Sequence, residues 1–339
     1  MPILLGIEST CDETAAAVVI DGYDVRSNII SSQVDLHARF GGVVPEIASR
    51  AHIEKIIPVI AEALDAANSK LSEIDAIAVA HRPGLIGSLL IGVTAAKTLA
   101  WATGKPLIGV DHVHAHLYSV VLETNIQPPM PAVGLVCSGG HTALYQINSW
   151  SDITLIGSTI DDAVGEAYDK VAAILGLGYP GGPIVDRLAQ EGNGKAIRFP
   201  RSLLGRDSLD FSFSGLKTAV LYHVRGVPGR RAKPADYSES DLPDVATSFQ
   251  CACVETIIEK INRAVRRTKA RSVLVGGGVS ANQGLRHALE GLPLPTIVPP
   301  LKYCMDNAAM SAGLGSIAYR DGAFSDLALD AITFSQFHR

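Results

Sequence analysis

Cysteine is scarce in this chain of 339 residues, and its few copies are scattered. The five thiols form no Cys-x-x-Cys pair and occur at Cys11, Cys137, Cys251, Cys253 and Cys304. An odd, scattered set argues against a disulfide framework and favours a reducing compartment. We therefore predict a cytoplasmic protein.

Long apolar runs are also lacking. Hydrophobic residues make up 47 % of the chain, yet no stretch of about twenty consecutive apolar residues occurs, so no membrane span is predicted. Glu8 interrupts the first apolar run too early for a signal peptide. Charge of one sign does not dominate: a net charge of −5 does not point to nucleic acid, although a local basic groove is compatible with it.

The usual nucleotide-binding loops are missing as well. Polar or glycine-rich turns follow apolar runs at residues 8–14, 138–142 and 276–282. None ends in Gly-Lys-Ser/Thr, and none has Gly-x-Gly-x-x-Gly spacing, which excludes a Walker A loop and a dinucleotide fingerprint. Glycines before a helix still let backbone N–H groups approach a phosphate, although a tight structural turn has the same pattern.

Two segments share one pattern of an apolar run, a turn and a second apolar run. Gly6 stands eight residues before Thr14, and Gly134 stands eight residues before Thr142. We predict two β-hairpins and an internal duplication, with chance similarity as the alternative. The length also favours two lobes. Facing turns on duplicated lobes are how actin-like ATPases, sugar kinases and chaperone ATPases hold nucleotide, so a phosphate-bearing ligand between the lobes is expected.

Histidines mark the segment after the apolar run at residues 106–110. His112 and His116 lie four residues apart on a predicted helix and share one face, whereas His114 points elsewhere. Two imidazoles one turn apart can bind one divalent metal, although such pairs are also common on surfaces and in cores. Val113 occupies the position where a His-Glu-x-x-His metalloprotease has its general base, so peptide cleavage is disfavoured.

Several further features keep two interpretations. Apolar faces at residues 47–64 and 85–102 could serve a partner helix bundle or the core, and residues 225–244 are predicted to form a polar surface excursion. Helix capping is the plain structural role for Asp306 and for the Asp161–Asp162 pair, and the functional alternative for the pair is a contact near a bound nucleotide. The predicted helices include residues 46–67, 161–176 and 245–269.

The order of the motifs resembles one family. They include Glu8-Ser9-Thr10-Cys11-Asp12-Glu13-Thr14, the His112–His116 pair, Ser138-Gly139-Gly140-His141-Thr142, Tyr179-Pro180-Gly181-Gly182-Pro183, Gly277-Gly278-Val279-Ser280-Ala281-Asn282 and Asp306-Asn307. In these stretches, and at residues 41–46, 161–163 and 211–217, the chain is similar to the tRNA N6-adenosine threonylcarbamoyltransferase family over about residues 3–325, and its length fits the bacterial form.

The resemblance implies an α/β protein of the actin-like ATPase fold, with two duplicated lobes of ribonuclease H type around a ligand cleft. We expect an N-terminal lobe of residues 1–125 plus about 305–339 and a C-terminal lobe of residues 126–304. The implied reaction transfers threonylcarbamoyl from threonylcarbamoyl-AMP to N6 of adenosine 37 in tRNAs that read codons beginning with A, and AMP leaves. A nucleotide-binding ATPase or kinase without transferase activity is the alternative.

The resemblance also implies site residues. His112, His116 and Asp306 would bind one divalent metal per subunit, with iron(II) expected and zinc(II) or magnesium as alternatives. The implied substrate-binding residues are Val136, Cys137, Ser138, Gly139, Gly140, Asp169, Gly182, Asp186 and Asn282. No general base follows from spacing, and Glu13 and Asp12 are the candidates.

Macromolecular partners follow from the same resemblance. They are tRNA, an inactive paralogue subunit and a small ATPase subunit. A basic rim for tRNA could be formed by Arg198, Arg201, Arg206, Lys217, Arg263, Arg266 and Arg267, each of which could equally be a solvated surface charge.

Overall fold

The computed structural model of the protein describes residues 1–226 and 238–334. Most of the predicted surface excursion at residues 225–244 therefore lies outside the described residues. The described chain falls into two compact units. Unit 1 contains residues 1–128, residues 148–153 and the described residues from 299 onward; unit 2 contains residues 129–147 and the described residues of 154–298.

The two sheets contain ten strands among the described residues. They are β1 (Ile3–Glu8), β2 (Glu13–Ile20), β3 (Asp24–Ser32), β4 (Ala76–Arg82), β5 (Leu107–Asp111), β6 (Ala132–Cys137), β7 (Thr142–Ser149), β8 (Asp152–Ser158), β9 (Ser272–Gly276) and β10 (Thr296–Ile297).

The α-helices in the described part of the chain cover these sheets. They are α1 (Val34–Ala38), α2 (Pro45–Ala66), α3 (Ile86–Thr103), α4 (His112–Tyr118), α5 (Val164–Ile174), α6 (Gly181–Leu188), α7 (Ser214–Arg225), α8 (Leu242–Thr268), α9 (Gln283–Glu290) and α10 (Ala308–Arg320). Short 3₁₀ turns include Gly278–Ala281 and Leu301–Tyr303.

The two sheets have equivalent strand orders, which confirms the predicted duplication. The first has the order β3-β2-β1-β4-β5, and the second has the order β8-β7-β6-β9-β10. In each, the leading strand pairs antiparallel with the next strand and parallel with the strand that follows the first helices. Both hairpins expected from the Gly6 and Gly134 patterns are therefore present.

In unit 1, α2 and α3 cover the sheet with apolar side chains, and α10 packs closely on β1. A side chain at Gly6 would collide with the Ala308 carbonyl, so this glycine permits the close approach. By length and composition α3 could cross a membrane, as no other described helix could, but it packs against α2 and β4 as a core helix does.

In unit 2, the central helix α8 is buried against the core formed with α5 and α6. The predicted helix at residues 161–176 begins at Val164, and neither Asp161 nor Asp162 caps it. The carboxyl ends of the parallel strands β6 and β9 carry the glycine-rich turns, where ligands of open α/β sheets usually bind.

Candidate metal centre and binding residues

The histidine helix begins directly after β5 because Asp111 caps it. One carboxylate oxygen of Asp111 accepts the backbone N–H groups of Val113 (3.0 Å) and His114 (3.3 Å). The other accepts Nε of Arg82 at 3.2 Å, which ties the cap to β4. Capping at this point fixes the phase of α4, so that His112 and His116 share one face with ring centroids 4.6 Å apart.

Asp306 faces the same two imidazoles from the start of α10. Its Oδ1 lies 3.0 Å from Nε2 of His116 and 3.6 Å from Nε2 of His112. Asn307, not Asp306, caps α10, since its Oδ1 accepts the N–H of Met310. The capping role expected for Asp306 is therefore wrong, because the helix begins one residue later and the carboxylate points away to the histidines.

The donor set fits a divalent metal. One ligand atom each from His112, His116 and Asp306 lies within 4.8 Å of the others. Ligands about 2.1 Å from a common ion stand about 3.0–3.5 Å apart, which is near the two nitrogen-to-oxygen distances. Two imidazoles and one carboxylate form the facial set that iron(II) and zinc(II) accept.

Glu8 orients His112 within this centre. Its Oε2 lies 3.1 Å from Nδ1 of His112, and its Oε1 accepts the N–H of Thr10 at 2.8 Å. Because a carboxylate only accepts, Nδ1 carries a proton, and Nε2 is the nitrogen left to bind a metal. Burial acts to lower the pKa of His112, but the charges of Glu8 and Asp306 outweigh it and raise that pKa to about 9. This negative surrounding also favours a bound cation.

The turn after β1 adds further acidic groups. Burial, then the charges of Asp306 and Asp12, raise the pKa of Glu13 to about 10, and burial with Asp12 raises the pKa of the Cys11 thiol. Without a cation, Glu13 is therefore protonated at neutral pH. An added positive charge nearby would favour its ionised form.

The predicted phosphate turn lies at the end of β6. Val136 and Cys137 are fully buried, so neither residue exposes an atom to a ligand in this structure. The N–H of Ser138 already donates to the His141 carbonyl, whereas Gly139 and Gly140 are exposed. A side chain at Gly277 (φ +88°) would collide with the Cys137 carbonyl, so the structure brings the two glycine-rich turns together.

Asp169 and Gly182 meet at the start of α6. Oδ1 of Asp169 accepts the N–H of Gly181 at 2.7 Å, and its carboxylate also accepts the N–H of Gly182. Burial raises the pKa of Asp169 even though these two hydrogen bonds act to lower it. The residue thus holds the N-terminus of α6 while its carboxylate stays close to Gly182.

Asp186 and Asn282 are joined by a residue that the sequence pattern did not single out. Nε2 of Gln250 donates to Oδ1 of Asp186 (3.0 Å), and Oε1 of Gln250 accepts Nδ2 of Asn282 (2.7 Å). Asn282 also caps α9, since its Oδ1 accepts the N–H of Leu285. These binding candidates all belong to unit 2, whereas the three candidate metal ligands all belong to unit 1.

The acidic pair after β8 has structural partners. Asp161 accepts hydrogen bonds from the N–H groups of Phe213 and Ser214, so it caps α7 and not the helix that follows it in sequence. Asp162 lies between Lys170 (2.7 Å) and Lys217 (2.8 Å). The capping prediction for this pair is thus wrong for α5, the helix that follows it in sequence, and Asp161 binds the first N–H groups of α7 instead.

Some of the predicted basic rim is occupied within the fold. Arg201 binds Glu255, and Arg263 donates to the carbonyls of Leu203, Gly205 and Ser208. Lys217 is held by Asp162. The exposed arginines of the predicted set are Arg198, Arg206, Arg266 and Arg267.

Sequence reasoning missed Glu8, Asp111 and Gln250 as parts of these sites. An N-cap residue before a histidine helix was a usable signal for Asp111. Glu8 was visible as a charged residue at the end of the buried strand β1. Nothing in the local sequence distinguishes Gln250, because its partners come from three other elements.

Comparison with known proteins gives one family. The family model for tRNA N6-adenosine threonylcarbamoyltransferase (TsaD) matches residues 24–313. Proteins of that name from Trichlorobacter lovleyi and Moorella thermoacetica are 50 % identical over 333 residues and 51 % identical over 338 residues. Each alignment covers 97 % of this chain and 95 % of the relative.

Solved structures agree on the fold. Component A of the Acidaminococcus fermentans (R)-2-hydroxyglutaryl-CoA dehydratase superposes with a TM-score of 0.56 at 15 % identity, covering 95 % of this chain and 100 % of that one. At this identity the likeness concerns the fold alone. It agrees with the equivalent sheets in confirming the predicted actin-like ATPase fold.

Proposed function

The chain belongs to the tRNA N6-adenosine threonylcarbamoyltransferase family, and on that premise we propose how its site residues serve the reaction. The protein is a transferase that attaches threonylcarbamoyl to N6 of adenosine in tRNA. The proposed donor is threonylcarbamoyl-AMP, and the acceptor is adenosine 37 of tRNAs reading codons that begin with A. A bond forms between N6 and the carbamoyl carbon, the bond from that carbon to the phosphate oxygen breaks, and AMP and a proton are released.

The three ligands in unit 1 would hold one divalent cation. Two imidazoles and a carboxylate suit iron(II) best and zinc(II) next, while magnesium prefers oxygen ligands. A bound cation supplies a Lewis acid for the donor's carbonyl or carboxylate group. The observation that carries this proposal is the convergence of His112, His116 and Asp306 within 4.8 Å.

The binding residues in unit 2 would hold the adenylate. The exposed Gly139 and Gly140 offer backbone N–H groups to its phosphate. Asp169 and Asp186 can accept ribose hydroxyl groups, because each oxygen of a carboxylate has two lone pairs and the internal hydrogen bonds leave some of them free. Asn282 offers its second amide hydrogen to the nucleotide in the same way.

The proton released from N6 needs an acceptor. Asp12 and Glu13 are the candidates because both lie shortly after β1, and the charge of Asp306 acts on Glu13. Glu13 could accept a proton only after its pKa is brought down, and a nearby cation acts in that direction.

The tRNA surface is proposed to use the exposed arginines of unit 2. Arg266 and Arg267 lie exposed in the last turn of α8, and Arg266 makes a 3.8 Å contact with Glu259. Cations that are not committed to internal carbonyls can neutralise phosphates. A tRNA substrate also supports a cytoplasmic location.

The inactive paralogue is proposed to dock on an apolar patch of α2 and α3. Ile53, Ile57, Ile86 and Leu90 are 44–62 % exposed. Gly87 at the start of α3 lies against Ser49 near the start of α2, so the two helices approach each other closely there. The four exposed side chains lie within about two turns of this contact along α2 and α3. A contiguous apolar surface of this kind favours protein association. The small ATPase subunit would join the same complex.

The test is reconstitution. The purified chain, with its partner subunits, is given threonylcarbamoyl-AMP and tRNA, and modified adenosine and AMP are measured by mass spectrometry. Equal amounts of both products support the proposal. ATP turnover without tRNA and without modified adenosine would instead favour the ATPase or kinase alternative. Metal content is measured on the same sample, so that the metal assignment is judged separately.

A further inference from the structure

Gln250 is the centre of a buried hydrogen-bond network in unit 2. It lies in the middle of α8, is 7 % exposed, and touches side chains from three other segments. Its Nε2 donates to Asp186 of α6, and its Oε1 accepts both Asn282 Nδ2 at the start of α9 and the hydroxyl of Tyr168 from α5 at 3.1 Å.

The orientation of every amide in this network is fixed. A carboxylate can only accept, so the NH₂ of Gln250 faces Asp186 and its carbonyl faces Asn282. A backbone N–H can only donate, so Oδ1 of Asn282 faces Leu285 and its NH₂ faces Gln250. The second oxygen of Asp186 accepts the N–H of Gln283 at 3.0 Å. The N–H groups of Leu285, Asn282 and Gln250 thus donate in one direction, along a series of hydrogen bonds that ends at Asp186.

The first turn of α9 packs closely against one side of the Gln250 amide. A Cβ atom on Gly284 would lie 2.6 Å from Nε2 of Gln250. The first turn of α9 therefore approaches the amide closely, and glycine permits this approach. A side chain that is held by three hydrogen bonds and a close backbone can set the positions of its partners.

We propose that Gln250 is a positioning residue that fixes Asp186 and Asn282 in the geometry needed to bind the adenylate. This rests on the proposed function, in which those two residues contact the nucleotide. Gln250 itself lies behind them and touches them through both ends of one planar amide. It sets the distance between Asp186, an acceptor, and Asn282, a donor. These two residues come from different helices, so neither helix alone could fix that distance.

The test measures the dissociation constant of AMP by calorimetry and KM and kcat for threonylcarbamoyl-AMP. Gln250→Met keeps the shape and removes all three hydrogen bonds of the amide. We expect it to weaken AMP binding about tenfold or more and to raise KM more than it lowers kcat. Gly284→Ala, which displaces the amide without removing a polar group, should act in the same direction.

Tyr168→Phe is the matched control. It removes the third partner of Gln250 and lowers stability, but it leaves the bridge between Asp186 and Asn282 in place. AMP affinity should change less than about twofold, because a hydrogen bond outside the bridge is lost. A comparable loss of affinity in Tyr168→Phe and Gln250→Met, in step with melting temperature, would mean that Gln250 serves only stability and would overturn the proposal.

A double-mutant cycle separates the two proposals. If Gln250 acts through Asp186, Gln250→Met should cost little further AMP affinity in an Asp186→Ala background. Full additivity would overturn the positioning role while leaving the nucleotide site intact. Unchanged AMP binding in both Asp186→Ala and Asn282→Ala would refute the proposed nucleotide site, and the role of Gln250 would fall with it.

Discussion

Oε2 of Glu8 lies 3.1 Å from Nδ1 of His112, although the two residues are 104 positions apart in the sequence. The same carboxylate oxygen lies 3.4 Å from the hydroxyl of Ser311 on α10. Glu8 therefore joins the end of β1 to the helix that carries two of the proposed metal ligands and to the helix that follows the third. Carboxylates in this position fix the tautomer of a ligating imidazole and raise its basicity.

Glu8→Gln should weaken metal binding about 10–100-fold. The glutamine amide has to place an NH₂ group against either the N–H of Thr10 or the protonated nitrogen of His112, both of which are donors. Competitive titration with a chromogenic chelator measures the effect. Glu54→Gln, at an exposed position on α2, is the control. Equal metal affinity in Glu8→Gln and the unmodified protein would contradict the assigned role.

His116→Ala should lose the metal and reduce transfer at least about a hundredfold. His114→Ala, on the same helix but on another face, should retain the metal. Elemental analysis of the purified proteins and the yield of modified adenosine test both statements. If metal-free His116→Ala protein still transferred at the normal rate, the cation would have no part in the reaction.

Lys260 predicts a pH-dependent stability. Burial, and next the charge of Arg263, lower the pKa of its amine to about 8 from the ordinary lysine value of 10.5. Between these pH values the unfolded chain binds more protons than the folded one, so the contribution of Lys260 to the free energy of unfolding improves as pH rises. Lys260→Met removes this pH dependence of the unfolding free energy. Arg263 remains as a donor to the Leu203 and Ser208 carbonyls.

Denaturant titrations at about pH 8 and about pH 10 measure the Lys260 effect. The unfolding free energy of the unmodified protein minus that of Lys260→Met should be larger at the higher pH. Other titrating groups are common to both chains and cancel. A difference that does not change with pH is the contrary result.

The double variant Arg266→Ala, Arg267→Ala should weaken tRNA binding. The slope of log affinity against log salt concentration should also become shallower, by the amount expected for the loss of up to about two phosphate contacts. Arg263→Ala is the contrasting variant, since that arginine donates to three loop carbonyls and its loss should chiefly lower the melting temperature. Binding is measured at two salt concentrations. Unchanged tRNA affinity in the double variant would remove the end of α8 from the tRNA surface.

Ile57→Glu should prevent association with the paralogue subunit without unfolding the chain, because the side chain is 62 % exposed. Ile160→Glu is the matched control, since Ile160 is 64 % exposed in unit 2. Size-exclusion chromatography of the mixed subunits distinguishes them. A stable complex with Ile57→Glu would place the interface elsewhere.

The local pattern of the chain was enough for the hairpins, the main helices and the paired histidines. Alternating apolar runs define strands, and a four-residue spacing puts His112 and His116 on one face whatever surrounds the helix. The duplicated strand–turn–strand pattern also predicted two equivalent sheets, which the structure confirms. These features depend on neighbours in sequence, so they can be inferred from sequence.

Tertiary structure decided which distant groups meet. Asp306 had the appearance of a cap, but only the packing of α10 beside α4 directs it at the histidines. Asp161 caps a helix that begins about fifty residues later, and Gln250 links three segments across the core of unit 2. Buried polar groups must find partners wherever the fold brings them, and that requirement acts through space and leaves no periodic trace in the chain.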